Sequence, residues 1–300
     1  MNHTPYRNRL KALLLTALLV FVVACTPNDK PLEFDGAQAY EHVKKQVDLG
    51  MRIPGTPAHA DVIQYITSTL NQSGWSVEIQ QAMDNGLEIQ NLVATRDDSP
   101  PSVLLGAHYD TRQYADQDPD PQKRTQPVPG ANDGASGVAV LLEIARVLPK
   151  SVTGVTLLFI DAEDQGDING QAWIRGASLF VEDRYADPVS PRPSAAIIVD
   201  MVGDADLQLF YENNSDQKLR EQIWSTADSL GYSGQFIARP KYTMIDDHIP
   251  FRNAGIPAVD IIDFDYPYWH TTADMSDKVS PQSLEAVGKT LVAWLKGYKP

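Results

Sequence analysis

Ser102-Val103-Leu104-Leu105-Gly106-Ala107 runs straight into His108-Tyr109-Asp110. A continuous apolar run of this kind marks a central strand covered on both faces, as in a parallel sheet clothed by helices. The pattern recurs along the chain. Val155 to Ile160 delivers Asp161-Ala162-Glu163-Asp164, and Ala195 to Val199 delivers Asp200. Leu207 to Tyr211 reads as a fourth, shorter strand, and Ile256 to Ile262 as another. Helical spacing fills the intervals at Gly134 to Leu148, Gln217 to Leu230 and Pro281 to Leu295. Strands alternating with helices predict an α/β fold with a mostly parallel sheet. Upstream, Ala37 to Asp48 and Pro57 to Leu70 read as helices, the second stopped by Gly74. Trp75 to Gln81 and Leu87 to Thr95 alternate apolar and polar residues, a pair of half-buried strands joined at Asp84-Asn85-Gly86.

Ligands of such sheets bind outside the carboxyl ends of the strands. His108, Asp110, Glu163, Asp164 and Asp200 all fall there, so they can converge. Two further stretches carry the same chemistry. Gly130-Ala131-Asn132-Asp133-Gly134-Ala135-Ser136-Gly137 surrounds Asp133 with small residues that let backbone crowd a ligand; Asp133 would equally serve as the N-cap of the helix behind it. Tyr266-Pro267-Tyr268-Trp269-His270-Thr271-Thr272-Ala273-Asp274 reads on its own as a packed aromatic corner. Taken together, these stretches offer imidazole and carboxylate ligands suited to Zn²⁺. Adjacent Glu163 and Asp164 point apart, so one can bind a metal while the other faces a substrate; the plainer alternative is a solvated acidic turn. Asp200, buried unpaired at a sheet end, would cost several kcal/mol (on the order of 2–7 for an uncompensated polar group) and so needs a metal, a proton or a donor. Asp246-Asp247-His248 sets like charges side by side in what reads as a polar turn, Ile245 to Phe251. The long loop from Thr111 to Ala131 is expected to rim the active-site mouth. No nucleophile elbow, P-loop or dinucleotide fingerprint is present.

Charge and composition narrow the class. The 300-residue chain carries a net charge of −14 with 43% hydrophobic residues, which excludes disorder and argues against a nucleic-acid partner. No obligate protein partner is evident. Residues 1–24 read as a lipoprotein signal peptide: Arg7, Arg9 and Lys11 precede an apolar run from Ala12 to Val23 too short to span a membrane. Val22-Val23-Ala24-Cys25 resembles a lipobox, and Cys25 is the only cysteine. It is expected to be lipidated, with no disulfides; an incidental thiol behind an ordinary signal peptide is the alternative. Thr26 at the next position favours outer-membrane sorting, and the expected location is the bacterial cell envelope. Residues 25–36 read as a tether and 37–300 as one catalytic domain.

His108-Tyr109-Asp110, the Asp133 loop, Glu163-Asp164, Asp200 and His270 are similar in order and spacing to the zinc aminopeptidase superfamily. Within it, Asp246-Asp247-His248-Ile249-Pro250-Phe251 with Gly255-Ile256-Pro257, and Trp269-His270-Thr271 with Asp274 beyond, resemble the glutaminyl cyclases. That resemblance implies a single-domain three-layer α/β/α fold with a central mixed sheet over roughly residues 37–298. It implies one zinc held by Asp133, Asp164 and His270, Glu163 as the proton shuttle, and Asp200 and Asp246 as catalytic carboxylates of an internal hydrogen-bond network. Trp269 would wall the substrate pocket and Trp173 would lie near its mouth. Many cyclases carry Glu where Asp164 stands, so the shorter side chain must bring its backbone closer to the metal. The implied substrates are peptides with N-terminal glutamine, cyclised to pyroglutamate with release of ammonia. One zinc is expected; His108 and Asp200 are also the residues that would hold a second, which would make the protein a dinuclear aminopeptidase. A catalytically inactive, lipid-anchored binding protein is the remaining alternative.

Overall fold

The computed structural model describes Met1 and residues 32–299, so the signal-peptide and Cys25 readings lie outside the described residues. The last residues of the expected tether are packed. The buried Phe34 ring lies so close to Gly288 that a Cβ there would come within 2.1 Å. Asp35 caps the first helix, accepting from Ala37 N and Gln38 N, while its own N–H donates to Glu143 Oε1 at 2.9 Å.

The main sheet contains β1 (Ser76–Asp84), β2 (Leu87–Thr95), β3 (Val103–His108), β4 (Val155–Ile160), β5 (Ala195–Asp200) and a later strand, β8 (Ala258–Ile262). They hydrogen-bond in the order β1-β2-β4-β3-β5-β8. β3 runs parallel to β4 and β5, and β5 parallel to β8. β1 and β2 form an antiparallel pair whose second strand lies antiparallel to β4. The sheet is thus mixed and mostly parallel, and the carboxyl ends of β3, β4, β5 and β8 share one edge.

The layers follow from strand alternation. Val103, Leu105 and Ala107 of β3, with Ala195, Ile197 and Val199 of β5, face a core shared with α1 (Gly36–Leu49), α2 (Pro57–Gln72), α3 (Ala135–Val147), α5 (Gln217–Ser229) and α7 (Pro281–Gly297). Leu104, Ala196 and Ile198 face the other way, onto α4 (Arg175–Tyr185) and α6 (His248–Asn253). Fully burying a Val, Leu or Ile contributes roughly 1.5–3 kcal/mol, so these two faces hold the strand ends in register.

Several elements depart from the sequence reading, among them a strand at Phe236–Tyr242 that was not expected. α4 was not expected, because it opens without a cap after Ile174, a β-branched residue held at φ 53. Its buried Gly176, Ala177, Phe180 and Val181 nevertheless form one stripe against the sheet. The segment read as a polar turn becomes α6 from His248 onward; Pro250 is tolerated in the first turn, where no amide donor is needed. The strand near Leu207 forms at β6 (Leu209–Glu212) and leaves the main sheet to pair in parallel with β7 (Phe236–Tyr242). Pro240 in β7 suits an edge rather than a central strand. Among the described residues no helix is long and apolar enough to cross a membrane.

Candidate active site and metal centre

The strand ends converge as their order predicts, and backbone strain concentrates there. Ala162, Met201 and His270 hold φ of 50, 45 and 52, each a left-handed residue next to or at a site residue. Non-glycine residues in that region cost on the order of 1–3 kcal/mol and persist only where surroundings fix them. Asp110 supplies that restraint after β4: its carboxylate accepts from Glu163 N (3.1 Å), Asp164 N (3.2 Å) and Gln165 Nε2 (2.9 Å). Asp161 completes it, accepting from Ala162 N at 2.8 Å with His59 Nε2 at 2.9 Å. Both aspartates therefore shape the turn that presents Glu163 and Asp164 to the site.

Asp133, Asp164 and His270 are buried, and each places a ligand atom within 4.8 Å of the others. His270 Nε2 lies 2.9 Å from Asp164 Oδ1 and 3.8 Å from Asp133 Oδ2. His108, Asp133 and Asp200 form a second such group, with His108 Nε2 3.0 Å from Asp133 Oδ1 and 3.1 Å from Asp200 Oδ1. Asp133 is common to both, one oxygen toward each histidine. Gly134 is required behind it, since a Cβ would fall 2.4 Å from His108 O and 2.5 Å from His108 Nε2.

The electrostatics call for a cation. Asp133 Oδ2 and Asp164 Oδ2 are buried without a hydrogen-bond donor, and Asp164 Oδ1 has only the His270 Nε2 contact at 2.9 Å. Burial, with Asp133 and Asp110 adding and His270 opposing, pushes Asp164 up to about 6. Burial likewise raises Asp200 to about 7 against the pull of His108. Burial disfavours a charged His270, yet Asp164, Asp116 and Asp133 outweigh it and hold the ring at about 9. Buried carboxylates with unused lone pairs aimed at a common point are the donor set of a hard or borderline cation. The shorter Asp164 side chain brings a ligand atom within 4.8 Å of those of Asp133 and His270.

A cavity of about 340 Å³ opens onto this cluster. Asp133, Glu163, Asp200, Asp246 and His270 supply its polar lining; Trp173, Trp269, Phe264, Met244, Ile245, Met201 and Ile262 supply its apolar walls. Trp269 stacks on the His270 ring with centroids 3.8 Å apart, and Trp173 lies parallel to that ring at 6.0 Å. Burial, reinforced by Asp164, Asp246 and Asp247 and opposed by His108, pushes the Glu163 carboxyl well above its ordinary range. A carboxyl so placed can take a proton from one group in the cavity and return it to another.

The structure also shows what holds the Asp133 loop in place. Asp274 Oδ1 accepts from Asn132 N (2.9 Å) and Tyr266 Oη (2.6 Å), and its Oδ2 from Asp133 N (3.2 Å), which fixes the Asp133 loop. Arg52, fully buried, donates to Tyr109 O, Pro129 O and Gly130 O, tying the end of β3 to that loop. None of residues 111–131 lines the cavity. That loop instead backs His270 from outside, with Gln117 N donating to His270 O at 3.2 Å and Asp118 Oδ2 accepting from Thr272 N and Oγ1 at 3.0 and 2.7 Å. It was expected at the mouth; its aspartates find their donors behind the histidine.

A mostly parallel sheet that gathers two such triads at its strand ends defines a zinc-dependent exopeptidase-like fold. Residues 91–295 match the model of Peptidase family M28. The chain belongs to that family and, within the zinc aminopeptidase superfamily, is a relative of the glutaminyl cyclases. It is 34% identical to Porphyromonas gingivalis glutaminyl cyclase, covering 89% of this chain and 99% of that one with a TM-score of 0.82. The same identity, coverages and TM-score relate it to a Zn-dependent exopeptidase from Parabacteroides distasonis. The glutaminyl-peptide cyclotransferase of Drosophila melanogaster is 26% identical over 279 residues, 81% of this chain and 76% of the relative.

Proposed function

We propose that the protein cyclises the N-terminal glutamine of peptides to pyroglutamate and releases ammonia. The observation that carries this reading is the cavity: a carboxyl of raised pKa, Glu163, faces an indole wall directly beside the Asp133, Asp164 and His270 cluster. Those three residues would hold one zinc, which when bound supplies Lewis acidity to the glutamine side-chain carbonyl. Glu163 takes a proton from the α-amine as its nitrogen bonds to the side-chain carbonyl carbon. It returns that proton to the amide nitrogen as the carbon–nitrogen bond breaks, so the step is proton-neutral and ammonia leaves. Asp200 and Asp246 orient Glu163 and the leaving nitrogen, and Trp269 and Trp173 confine the side chain. The ring closure is intramolecular, so much of the protein's contribution is holding the substrate in the reactive geometry and keeping water out.

A second reading, a dinuclear-zinc aminopeptidase, rests on the His108, Asp133 and Asp200 group. The glutaminyl cyclases among its relatives favour the first reading. Zinc per chain, ammonia from a Gln-initiated peptide and free amino acid from a Leu-initiated one, measured on one sample, decide between them. About one zinc with ammonia alone supports the cyclase; two zincs with leucine release would replace it.

We further propose that residues 1–24 are removed, that Cys25 carries lipid, and that the residues between Cys25 and the packed Phe34 tether the catalytic domain to an envelope membrane. Failure of Cys25→Ala to move the protein from the membrane to the soluble fraction would count against this placement.

A further inference from the structure

Asp116 reaches His270 from outside the cavity. Its Oδ1 lies 3.1 Å from His270 Nδ1, on the ring edge away from the Nε2 that faces Asp164 and Asp133. Its Oδ2 accepts from Arg112 Nε at 3.0 Å and Nη2 at 2.6 Å. The same guanidinium donates through Nη1 to Asp164 O (3.0 Å) and Gly166 O (3.1 Å) and lies 4.5 Å from the centre of the Trp173 ring. One fork of hydrogen bonds thus joins the loop of His270 to the turn that carries Asp164.

We propose that Asp116 is a positioning residue that keeps the Nδ1–H of His270 directed outward and its Nε2 lone pair directed at Asp133 and Asp164, with Arg112 holding Asp116 rigid. This rests on the reading of His270 as a zinc ligand. A neutral imidazole has two tautomers, and only the one with Nε2 unprotonated can bind metal there. A carboxylate accepting from Nδ1 selects that tautomer, fixes the ring plane and strengthens the nitrogen as a donor. Trp269 and Trp173 pack along the ring and restrain its plane but not its tautomer, which is left to the edge contact with Asp116. Arg112 makes the restraint mutual, since any movement of Asp116 also loosens the carbonyls of Asp164 and Gly166.

The competing explanation is that Asp116 merely anchors its loop. Asp118 is the control, because it anchors the same loop to Thr272 without touching His270. The experiment measures zinc dissociation constants by chelator competition for wild type, Asp116→Ala, Asp116→Asn and Asp118→Ala, together with the His270 Nδ1–H signal in zinc-loaded, ¹⁵N-histidine-labelled protein. Asp116→Ala should weaken zinc about 10–100-fold, in the range found when such outer carboxylates are removed. Asp118→Ala should stay near wild type, and Asp116→Asn, which keeps one acceptor, should fall between. Saturating zinc should restore most of kcat to Asp116→Ala, while the hydrogen-bonded Nδ1–H signal disappears. Equal zinc losses in Asp116→Ala and Asp118→Ala, or an unchanged constant in Asp116→Ala, would overturn the inference while leaving His270 as a ligand. Wild-type protein that binds no zinc would overturn both.

Discussion

Glu163→Gln separates the base from the metal. The Glu163 side chain lines the cavity, and its fixed hydrogen bond is made by its backbone N–H to Asp110 Oδ1 at 3.1 Å. Glutamine keeps the shape and removes the ionisable group. Burial holds the Glu163 carboxyl well above its ordinary range. A folded pKa above the unfolded one means that ionising this group at neutral pH opposes folding. Metal-free Glu163→Gln protein should therefore melt no lower than wild type, and somewhat higher above neutral pH. Turnover should move the opposite way. Positioned proton transfer contributes about 10²–10⁴ in rate, roughly 2.7–5.4 kcal/mol at about 1.36 kcal/mol per decade. Ammonia release read through a coupled dehydrogenase, zinc content and a melting curve on the same preparation form the assay. Loss of zinc would make Glu163 a ligand, and a kcat within a few-fold of wild type would place the base elsewhere.

Other consequences are as direct. With Glu163 as the base, kcat/KM should fall as pH drops through its raised pKa, and the acid limb should vanish from the residual activity of Glu163→Gln; a limb shared by both would assign it to another group. Asp164 and Asp200, raised by burial to about 6 and about 7, bind protons more tightly folded than unfolded, so the stability they contribute is fully present below about 3.8 and is lost as pH rises through those values. Metal-free protein should thus melt higher at pH 5 than at pH 7.5, whereas the stabilisation by added zinc, which needs deprotonated ligands, should grow with pH; scanning calorimetry with and without chelator checks both signs. Asp274→Asn leaves at least one of the donors Asn132 N, Asp133 N or Tyr266 Oη facing an amide NH₂. That should cost about 1–3 kcal/mol in denaturant unfolding and weaken zinc, because the Asp133 loop loses its clamp.

Much of the site was legible because it sits where short sequence runs meet a general rule. Each of His108, Glu163, Asp164 and Asp200 follows an apolar strand by no more than a few residues, and a parallel sheet brings such ends to one edge. Asp116, Asp118 and Arg52 were not legible. Their functions depend on partners 57 to 154 positions away, such as Tyr109 for Arg52 and His270 for Asp116, and nothing in their own neighbourhoods marks them. α6 was missed for a related reason: a short helix with Pro250 in its first turn is stabilised by burial of His248, Pro250 and Phe251 more than by local propensity.

The chain by itself determined that the fold is α/β, which strands are central, and which ionisable residues lie at their ends. Those properties are set by burial period and by neighbours a few residues apart. Tertiary structure alone decided that β6 leaves the main sheet, that one carboxylate, Asp133, is shared between two histidines, and that the long acidic loop stands behind His270 rather than over the cavity. Each of these is a choice among partners far apart in sequence. Such choices are settled by which arrangement buries charge with a donor or a cation beside it, and that can be seen only once the chain is folded.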